Sequence, residues 1–269
     1  MRAPAEARRE MIFGVHPVLE ALESGRRDVE RVLVVREQAG HGIGRVLRAA
    51  REAGVPVTHL PREVLVRKAG ARAVHQGVAA VVSPVAYADP DEICRHAAGS
   101  GETVLVVDGV EDPGNLGALV RSAAAAGVAG VLLGTEETAG ITPVAAKASA
   151  GAVERVPIAR EGHLRRRLLW LKERGFRVVA LDARGATPWD RADLEGSLAI
   201  VVGGEGTGIR RGILQVADDR VAIPLARGVE SLNVSVAAAV LLFEAVRRRW
   251  VAGRPLGSSV PALETRKGH

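Results

Sequence analysis

From Thr103 onward, runs of consecutive apolar residues alternate with alanine-rich stretches that have the spacing of helices. Strands that are apolar at every position are typical of a sheet buried on both faces. Their alternation with helices predicts an α/β domain in which helices cover both sides of a mostly parallel sheet. The predicted strands are TVLVVD, GVLLG, RVPIA, RVVALD, LAIVVG and RVAIPL, and the predicted helices are LGALVRSAAAAG, PVAAKASAGA, HLRRRLLWLKERG and RRGILQVAD.

At 269 residues the chain is long enough for two domains, and a change of composition divides it. The segment SPVAYADPDE is polar, contains two prolines and interrupts the regular pattern. We therefore predict a smaller α/β domain over residues 1–84, a linker over 85–102, the larger domain over 103–250 and a disordered tail over 251–269. The smaller domain is expected to contain helices HPVLEALESG and IGRVLRAAREAG and strands VERVLVV, VPVTHL and GVAAVVSP.

Charge and composition limit the classes of function. The net charge is +6, and lysine occurs only four times, so arginine supplies nearly all of the positive charge. Guanidinium groups bind phosphates with two hydrogen bonds, which favours a nucleic-acid partner, although a genomic composition bias would give the same arginine content. The longest apolar run, 236–243, is too short to span a membrane. A single cysteine, no histidines spaced four apart and an N-terminus without an apolar signal core favour a cytoplasmic protein without a metal site.

Three loops that each follow a predicted strand are the first places to look for a ligand, because parallel sheets bind ligands beyond the carboxyl ends of their strands. These loops are DGVEDPGN, GGEGTGIR and ARGVESLN. The glycine-rich loop matches neither the dinucleotide fingerprint nor the P-loop, since no Gly-Lys-Ser/Thr follows it. A Rossmann-type dehydrogenase is therefore disfavoured. The glycines still allow the backbone to approach a ligand closely.

The polar residues of these loops have two possible explanations. Asn115 and Asn233 are suitable N-caps for the helices that follow them. Glu205, expected to be partly buried, can cap the next helix or accept a hydrogen bond from a ligand. Arg121 is either solvated or directed toward the ligand end of its helix by the close packing that SAAAAG implies. Capping by Asn233 does not explain all three polar residues of SLNVS.

In this order, the three loops resemble the three motifs of the SpoU (TrmH-like) branch of the SPOUT RNA methyltransferases. The matching stretches are DGVEDPGNLGALVRSAAAAG, IVVGGEGTGIRRG and IPLARGVESLNVSVAAAVLLFEAVRR. The similarity extends through FGVHPVLEAL, AVHQGVAAVVSP and AKASAGAVERVP over nearly the whole chain. The resemblance implies a homodimer, a deep trefoil knot in the C-terminal part of the larger domain, and methyl transfer from S-adenosylmethionine to a ribose 2′-hydroxyl.

The resemblance also implies roles for particular residues, and no metal among them. The sulfonium loses its charge during methyl transfer, so no metal is needed to stabilise an anionic leaving group. The active-site groups would be Asn115, Arg121, Glu205, Ser231 and Asn233. Arg121 would either remove the proton of the hydroxyl or bind the adjacent phosphate and stabilise the developing alkoxide. The residues around S-adenosylmethionine would be Gly203, Gly204, Gly206, Ile223, Leu225 and Leu232.

The N-terminal stretches resemble the ribosomal-protein-like substrate domain of the subgroup that methylates a guanosine of 23S ribosomal RNA. We therefore expect RNA contacts there from Arg45, Arg48, Arg51 and Arg72, and we interpret the cluster at 165–167 as a solvated helix face. Within the family, the alternatives are a tRNA ribose or a ribosomal site whose methylation blocks an antibiotic. Outside it, the alternative is a non-catalytic ribosome-assembly factor, which the retention of all five active-site residues disfavours.

Overall fold

The computed structural model describes residues 9–36, 40–69, 75–227, 229 and 231–253. Within these ranges the strands form two separate sheets, one of four strands and one of seven. The smaller sheet belongs to the N-terminal part of the chain. Its elements are β1 (Glu10–Phe13), α1 (Val15–Ser24), β2 (Val29–Val35), α2 (His41–Glu52), β3 (Val57–Leu60), α3 (Arg62–Ala69) and β4 (Val78–Val82).

The four-stranded sheet has the order β1-β4-β2-β3. Strand β4 pairs antiparallel with both β1 and β2, whereas β2 and β3 are parallel. The three strands and two helices predicted for this region are all present. Two further elements, β1 and α3, have too little apolar pattern to be predicted: β1 has only four residues, and α3 buries only Leu65.

The larger sheet has the order β7-β6-β5-β10-β8-β11-β9, and every neighbouring pair is parallel. This confirms the predicted α/β fold. The six predicted strands are present, and the edge strand β9 is additional. The elements are α4 (Pro90–Ser100), β5 (Val104–Asp108), α5 (Pro113–Ala125), β6 (Gly130–Gly134), α6 (Pro143–Ala148), a 3₁₀ turn (Ala152–Glu154), β7 (Ile158–Glu161), α7 (Leu164–Lys172), β8 (Arg177–Leu181), β9 (Thr187–Pro188), β10 (Leu198–Gly203), α8 (Arg211–Leu214), β11 (Asp219–Ala222) and α9 (Val234–Val251).

Helices cover both faces of the larger sheet, as its wholly apolar strands require. Along β5, Leu105 and Val107 face a core that includes α5, α6 and α9. The alternate residues Val104 and Val106 face a second core that includes α4, α7 and α8. Burial of both sets explains why this strand shows no polar alternation. The close approach of α5 to α6 depends on Gly117, where a Cβ would lie 2.3 Å from the carbonyl oxygen of Ala145.

The segment predicted as a linker, 85–102, contains helix α4. Asp89 caps this helix, and Pro90 occupies its first turn. Ile93, Cys94 and Ala97 are buried in the second core of the larger domain. Most of the expected linker is therefore part of the packed structure, and the polar surface of α4 accounts for its linker-like composition.

An ion pair fastens the smaller unit to the 3₁₀ turn of the larger one. The side chain of Arg27, which precedes β2, is fully buried, and its Nε lies 2.8 Å from Oε1 of Glu154. Next to this pair, Arg155 contacts Glu20 of α1, and the arginine of that pair is exposed. The contact between the two units therefore contains one buried and one exposed ion pair.

The trefoil knot remains a prediction. After β11 the chain passes back across the sheet, and α9 packs against α5 and contacts β10 and β8. Of the tail predicted to be disordered, 254–269 lie outside the described residues, whereas Val251 ends α9. No helix of the described chain is long and apolar enough to cross a membrane.

Candidate active site

The loop that follows β10 folds back on itself and touches the loop that follows β5. A hydrogen bond of 2.9 Å from the backbone N–H of Gly208 to the carbonyl of Gly204 closes its turn. A Cβ on Gly204 would lie 2.1 Å from the carbonyl oxygen of Gly109, and one on Gly203 would lie 2.2 Å from the carbonyl carbon of Gly208. A side chain at Gly204 would push the two loops apart, and one at Gly203 would open the turn of its own loop, so both positions require glycine.

A buried carboxylate fixes the far end of the same loop. Asp108, fully buried at the end of β5, accepts hydrogen bonds from the backbone N–H of Arg210 at 2.8 Å and from its Nε at 2.7 Å. The same guanidinium contacts Glu136 in the loop after β6. Sequence reasoning missed Asp108. The signal was available, because a carboxylate that ends an apolar strand needs a partner when it is buried.

Three side chains, from the first turn of α5, the loop after β10 and the start of α9, form a closed hydrogen-bonded cluster, which we call the polar triad. Asn115 donates from Nδ2 to Oε1 of Glu205 at 2.8 Å. Asn233 donates from Nδ2 to the same oxygen at 3.0 Å and to Oδ1 of Asn115 at 2.9 Å. The residues are 90 and 118 positions from Asn115 along the chain, so the fold alone brings them together. The prediction of a partly buried Glu205 is wrong for the single chain, in which this residue is exposed.

The two asparagines of the triad differ in their capping roles. Asp112, and not Asn115, caps α5, accepting from the backbone N–H of Asn115 at 2.7 Å. The side chain of Asn115 is thereby left to the triad. Asn233 does cap α9: its Oδ1 accepts from the N–H of Ser235 at 2.9 Å and from the N–H of Val236 at 3.4 Å. It caps with its oxygen and bridges the triad with its nitrogen, so the cap leaves its amide nitrogen available for a second role.

The two serines on either side of Asn233 make different contacts. The hydroxyl of Ser235 donates to Oδ1 of Asn233 at 2.6 Å and so supports the cap. Ser231 is exposed and lines a cavity next to the triad. The three polar residues of SLNVS therefore have different roles. Ser231 lines the cavity, Asn233 belongs to the triad, and the hydroxyl of Ser235 supports the cap.

The cavity has a volume of about 540 Å³, a usual size for a small-molecule site. Its walls are the loops after β8, β10 and β11 and the first turn of α9. Glu205 of the triad also lines it. All six residues that the resemblance places around the cofactor lie in this one cavity: Gly203, Gly204, Gly206, Ile223, Leu225 and Leu232.

A charged group in the cavity wall was not predicted from the sequence. Asp182 follows β8 and lines the cavity with Arg184 and Arg220. Burial alone would raise the pKa of Asp182, but the N–H of Arg184 at 3.0 Å and the guanidinium of Arg220 hold that pKa below its usual value. The cavity thus carries a carboxylate at neutral pH. Its position directly after an apolar strand is the signal that identifies it.

The predicted arginines lie apart from the triad's hydrogen bonds. Arg121 is exposed on α5, and within the described residues its side chain has no hydrogen bond or ion pair. Arg45, Arg48 and Arg51 are exposed along one face of α2, where they are available to a large anionic partner. Arg72 lies outside the described residues.

Substitution of Asn233 by aspartate separates its two roles. Aspartate caps a helix as well as asparagine does, so the free energy of unfolding is expected to change by less than about 1 kcal/mol. The variant loses both Nδ2 hydrogen bonds of the triad and places a second carboxylate beside Glu205, so turnover is expected to fall at least about 100-fold. Chemical denaturation and single-turnover kinetics of the methyl transfer that the resemblance implies measure the two effects. Wild-type turnover in Asn233→Asp would mean that this residue serves as a cap alone.

Two family models together match most of the chain. That of the SpoU rRNA methylase family matches residues 102–243. That described as RNA 2′-O ribose methyltransferase substrate binding matches residues 11–88. The first match contains all three loops of the site, and the second contains all of the four-stranded sheet except its first residue, Glu10.

Known proteins similar to this chain cover it almost completely. An uncharacterized tRNA/rRNA methyltransferase of Mycobacterium avium is 42% identical over 241 residues, which are 89% of this chain and 78% of the relative. The crystal structure of an RNA 2′-O ribose methyltransferase has a TM-score of 0.75 at 30% identity and covers 91% of this chain and 90% of its own. That of an rRNA methyltransferase from Sinorhizobium meliloti with bound AdoMet has a TM-score of 0.73 at 28% identity, with coverage of 90% and 88%.

Proposed function

The chain belongs to the SpoU rRNA methylase family, and on that basis we propose that it methylates a ribose 2′-hydroxyl of 23S ribosomal RNA, at a guanosine. It is an RNA methyltransferase that uses S-adenosylmethionine. The observation that carries the proposal is the meeting of three distant polar side chains, Asn115, Glu205 and Asn233, beside a cavity of cofactor size. A non-catalytic ribosome-assembly factor would have no need of such a cluster.

We assign the cavity to S-adenosylmethionine, and its residues fit that molecule. Ile223, Leu225 and Leu232 offer apolar contacts of the kind that an adenine ring requires, and the loop at 203–208 offers backbone groups without side chains in the way. Asp182, Arg184 and Arg220 add charged groups to the same wall, which can hydrogen-bond the polar groups of the cofactor. Among the described residues, no group of three or more histidine, cysteine, aspartate or glutamate side chains is arranged to hold a metal ion.

Bound S-adenosylmethionine supplies a methyl carbon on a positively charged sulfonium. The protein must then hold the ribose oxygen in line with that carbon, an effect that contributes roughly 7–11 kcal/mol to catalysis in general. Both triad bonds of Glu205 use Oε1, so Oε2 can accept a hydrogen bond from the ribose hydroxyl and take up its proton as the oxygen bonds to the methyl carbon and the carbon–sulfur bond breaks. Asn115 and Asn233 hold this carboxylate in place. Arg121 is free to bind the adjacent phosphate or to stabilise the developing alkoxide.

Mapping of 2′-O-methylation tests the proposed target. Ribosomal and transfer RNA from cells with and without the gene would be compared position by position. We expect one guanosine of 23S RNA to lose its 2′-O-methyl group in the deletion strain and to regain it with the wild-type gene but not with Asn233→Asp. Loss at a tRNA position instead would favour the tRNA alternative, and an unchanged RNA population would overturn the proposal.

We also propose that the protein is a homodimer formed through α9. Val236, Phe243 and Trp250 are spaced seven residues apart, so they lie along one face of the helix, and they are 50%, 46% and 47% exposed. Large apolar residues rarely form such an exposed row unless another surface covers them. A second copy fits because the resemblance places this helix in the dimer interface.

The dimer proposal predicts the effect of a charge on this face. Phe243→Asp is expected to convert a dimer to a monomer in analytical ultracentrifugation, because it places a carboxylate in the centre of the interface. Leu169→Asp is the matched control: Leu169 is 38% exposed on α7, which covers the opposite face of the sheet, and that variant should remain a dimer. A wild-type monomer, or an unchanged Phe243→Asp dimer, would contradict the assignment.

A further inference from the structure

A second concave surface lies at the carboxyl edge of the larger sheet. It is on the opposite face of the sheet from α5, which contains Asn115, and α9, which Asn233 caps. It is a groove of about 470 Å³ between the start of α7 and the start of α8, which we call the arginine groove. Arg165, Arg166 and Arg210 line it together with His163 and Gly212. Arg211 begins α8 beside it and is exposed. Four arginines are thus gathered around one depression.

The acidic groups near the arginine groove are already paired with other residues. Glu161 accepts from Nε of Arg167 at 2.7 Å, and Asp91 lies 2.6 Å from Nη1 of the same residue. Asp108 and Glu136 are both engaged by Arg210. In the part of the chain that the structure describes, Arg165 and Arg166 are exposed and have no ion pair. Among the described residues, two carboxylates therefore balance the charge of Arg210, whereas the positive charges of Arg165 and Arg166 are not balanced by an ion pair.

The groove is rigid and adjoins the loops of the candidate active site. Leu164 and Leu168 are buried under α7, and Ile213 is buried under α8, so the arginines project from fixed helices. Arg210 belongs to the loop that also carries Glu205, and its buried bond to Asp108 holds that loop on the sheet. An RNA strand that presents a nucleotide to Glu205 can therefore continue across this edge into the groove.

We infer that the arginine groove binds backbone phosphates of the RNA strand that flanks the target nucleotide. The inference rests on the proposed function for its ligand. Guanidinium groups bind phosphate oxygens with two hydrogen bonds, and no Phe, Tyr or Trp side chain is among the described residues that line the groove. Contacts of this kind raise affinity and fix the position of the strand without reading its sequence. Arg165 and Arg166, interpreted from the sequence as a solvated helix face, are thus assigned to RNA, whereas Arg167 has a structural role.

Two double variants with equal charge changes test the inference. In R165Q/R166Q the groove loses two arginines. In R95Q/R191Q two exposed arginines outside the groove, without ion pairs in the described residues, are removed instead. Binding of full-length wild type and variants to 23S RNA would be measured over a range of salt concentrations. For R165Q/R166Q we expect about tenfold weaker binding at 0.15 M salt and a salt-dependence slope lower by about 1.4–1.8, equivalent to two lost phosphate contacts.

The readouts separate this inference from the proposed function. Affinity for S-adenosylmethionine and turnover at saturating RNA should be unchanged in R165Q/R166Q, since neither arginine lies in the triad or the cavity. Equal RNA affinities and equal salt-dependence slopes for the two double variants would contradict the assignment of the groove to RNA binding, even if the wild type methylates RNA. A wild type that binds 23S RNA through the groove but does not methylate it would overturn the proposed function alone. A wild-type protein that fails to bind RNA would contradict the assignment of the groove to RNA binding.

Discussion

Replacement of Arg121 by alanine is expected to lower the rate of methyl transfer by about two to three orders of magnitude, the loss typical of removing one charge-stabilising donor. Arg121 lies on α5, six positions after Asn115, and the described structure gives its guanidinium no protein partner. An exposed arginine without an ion pair contributes little to stability, so the folding free energy should change by less than about 0.5 kcal/mol. A large loss of rate would therefore reflect a contact with RNA or with the reacting groups.

Cofactor binding and a lysine variant define the role of Arg121. The affinity for S-adenosylmethionine, measured by calorimetry, should be the same in Arg121→Ala and wild type because Arg121 does not line the cavity. A guanidinium stays protonated in proteins, so we assign Arg121 to phosphate or alkoxide stabilisation and not to proton removal. Arg121→Lys keeps the charge without the bidentate fork and should recover part of the rate. Full turnover in Arg121→Ala would exclude both versions of this role.

The site could be predicted in part because of the topology of a parallel sheet. Asn115, Glu205 and Asn233 each follow a strand, and the carboxyl ends of parallel strands share one edge. That rule brings three loops together, but it does not determine hydrogen bonds. Asp112 and Asn115 were equally suitable caps by residue type, and the choice between them depends on where the first turn of α5 begins. The exposure of Glu205 likewise depends on how far its glycine loop projects.

Long-range partners account for most of what the sequence did not predict. The pairing of Asp108 with Arg210 joins residues 102 positions apart, and no local pattern indicates which arginine a buried aspartate will meet. Helix α4 had local signals, with Asp89 as cap and Pro90 in the first turn, but its polar surface resembled a linker. The two-residue strand β9 has no periodicity at all and exists because β11 offers it an edge.

The junction between the two units is a further long-range arrangement, and its disruption is expected to have the largest effect on stability. Arg27→Met should lower the free energy of unfolding by about 3–5 kcal/mol, because it leaves Glu154 buried without its cation. Burial raises the pKa of the Glu154 carboxyl, and Arg27 opposes that rise. Without Arg27, the carboxyl must either remain charged in an apolar site or take up a proton. Chemical denaturation of the full chain measures the loss.

Two further variants distinguish a buried charge from a general packing defect at this junction. Arg155→Ala breaks the neighbouring pair with Glu20, in which the arginine is exposed, and should cost less than about 1 kcal/mol. The double variant R27M/E154L replaces both buried charges with apolar side chains. Nε and Nη2 of Arg27 and Oε2 of Glu154 have no hydrogen-bond partner within the described residues, so the native pair is incompletely satisfied. The double variant should therefore unfold within about 1 kcal/mol of wild type. If its loss equals or exceeds that of Arg27→Met, the arginine acts through its packing or through the bonds of its Nη1 to Glu10 and the carbonyl of Ser83, and the account based on the charge of Glu154 is wrong.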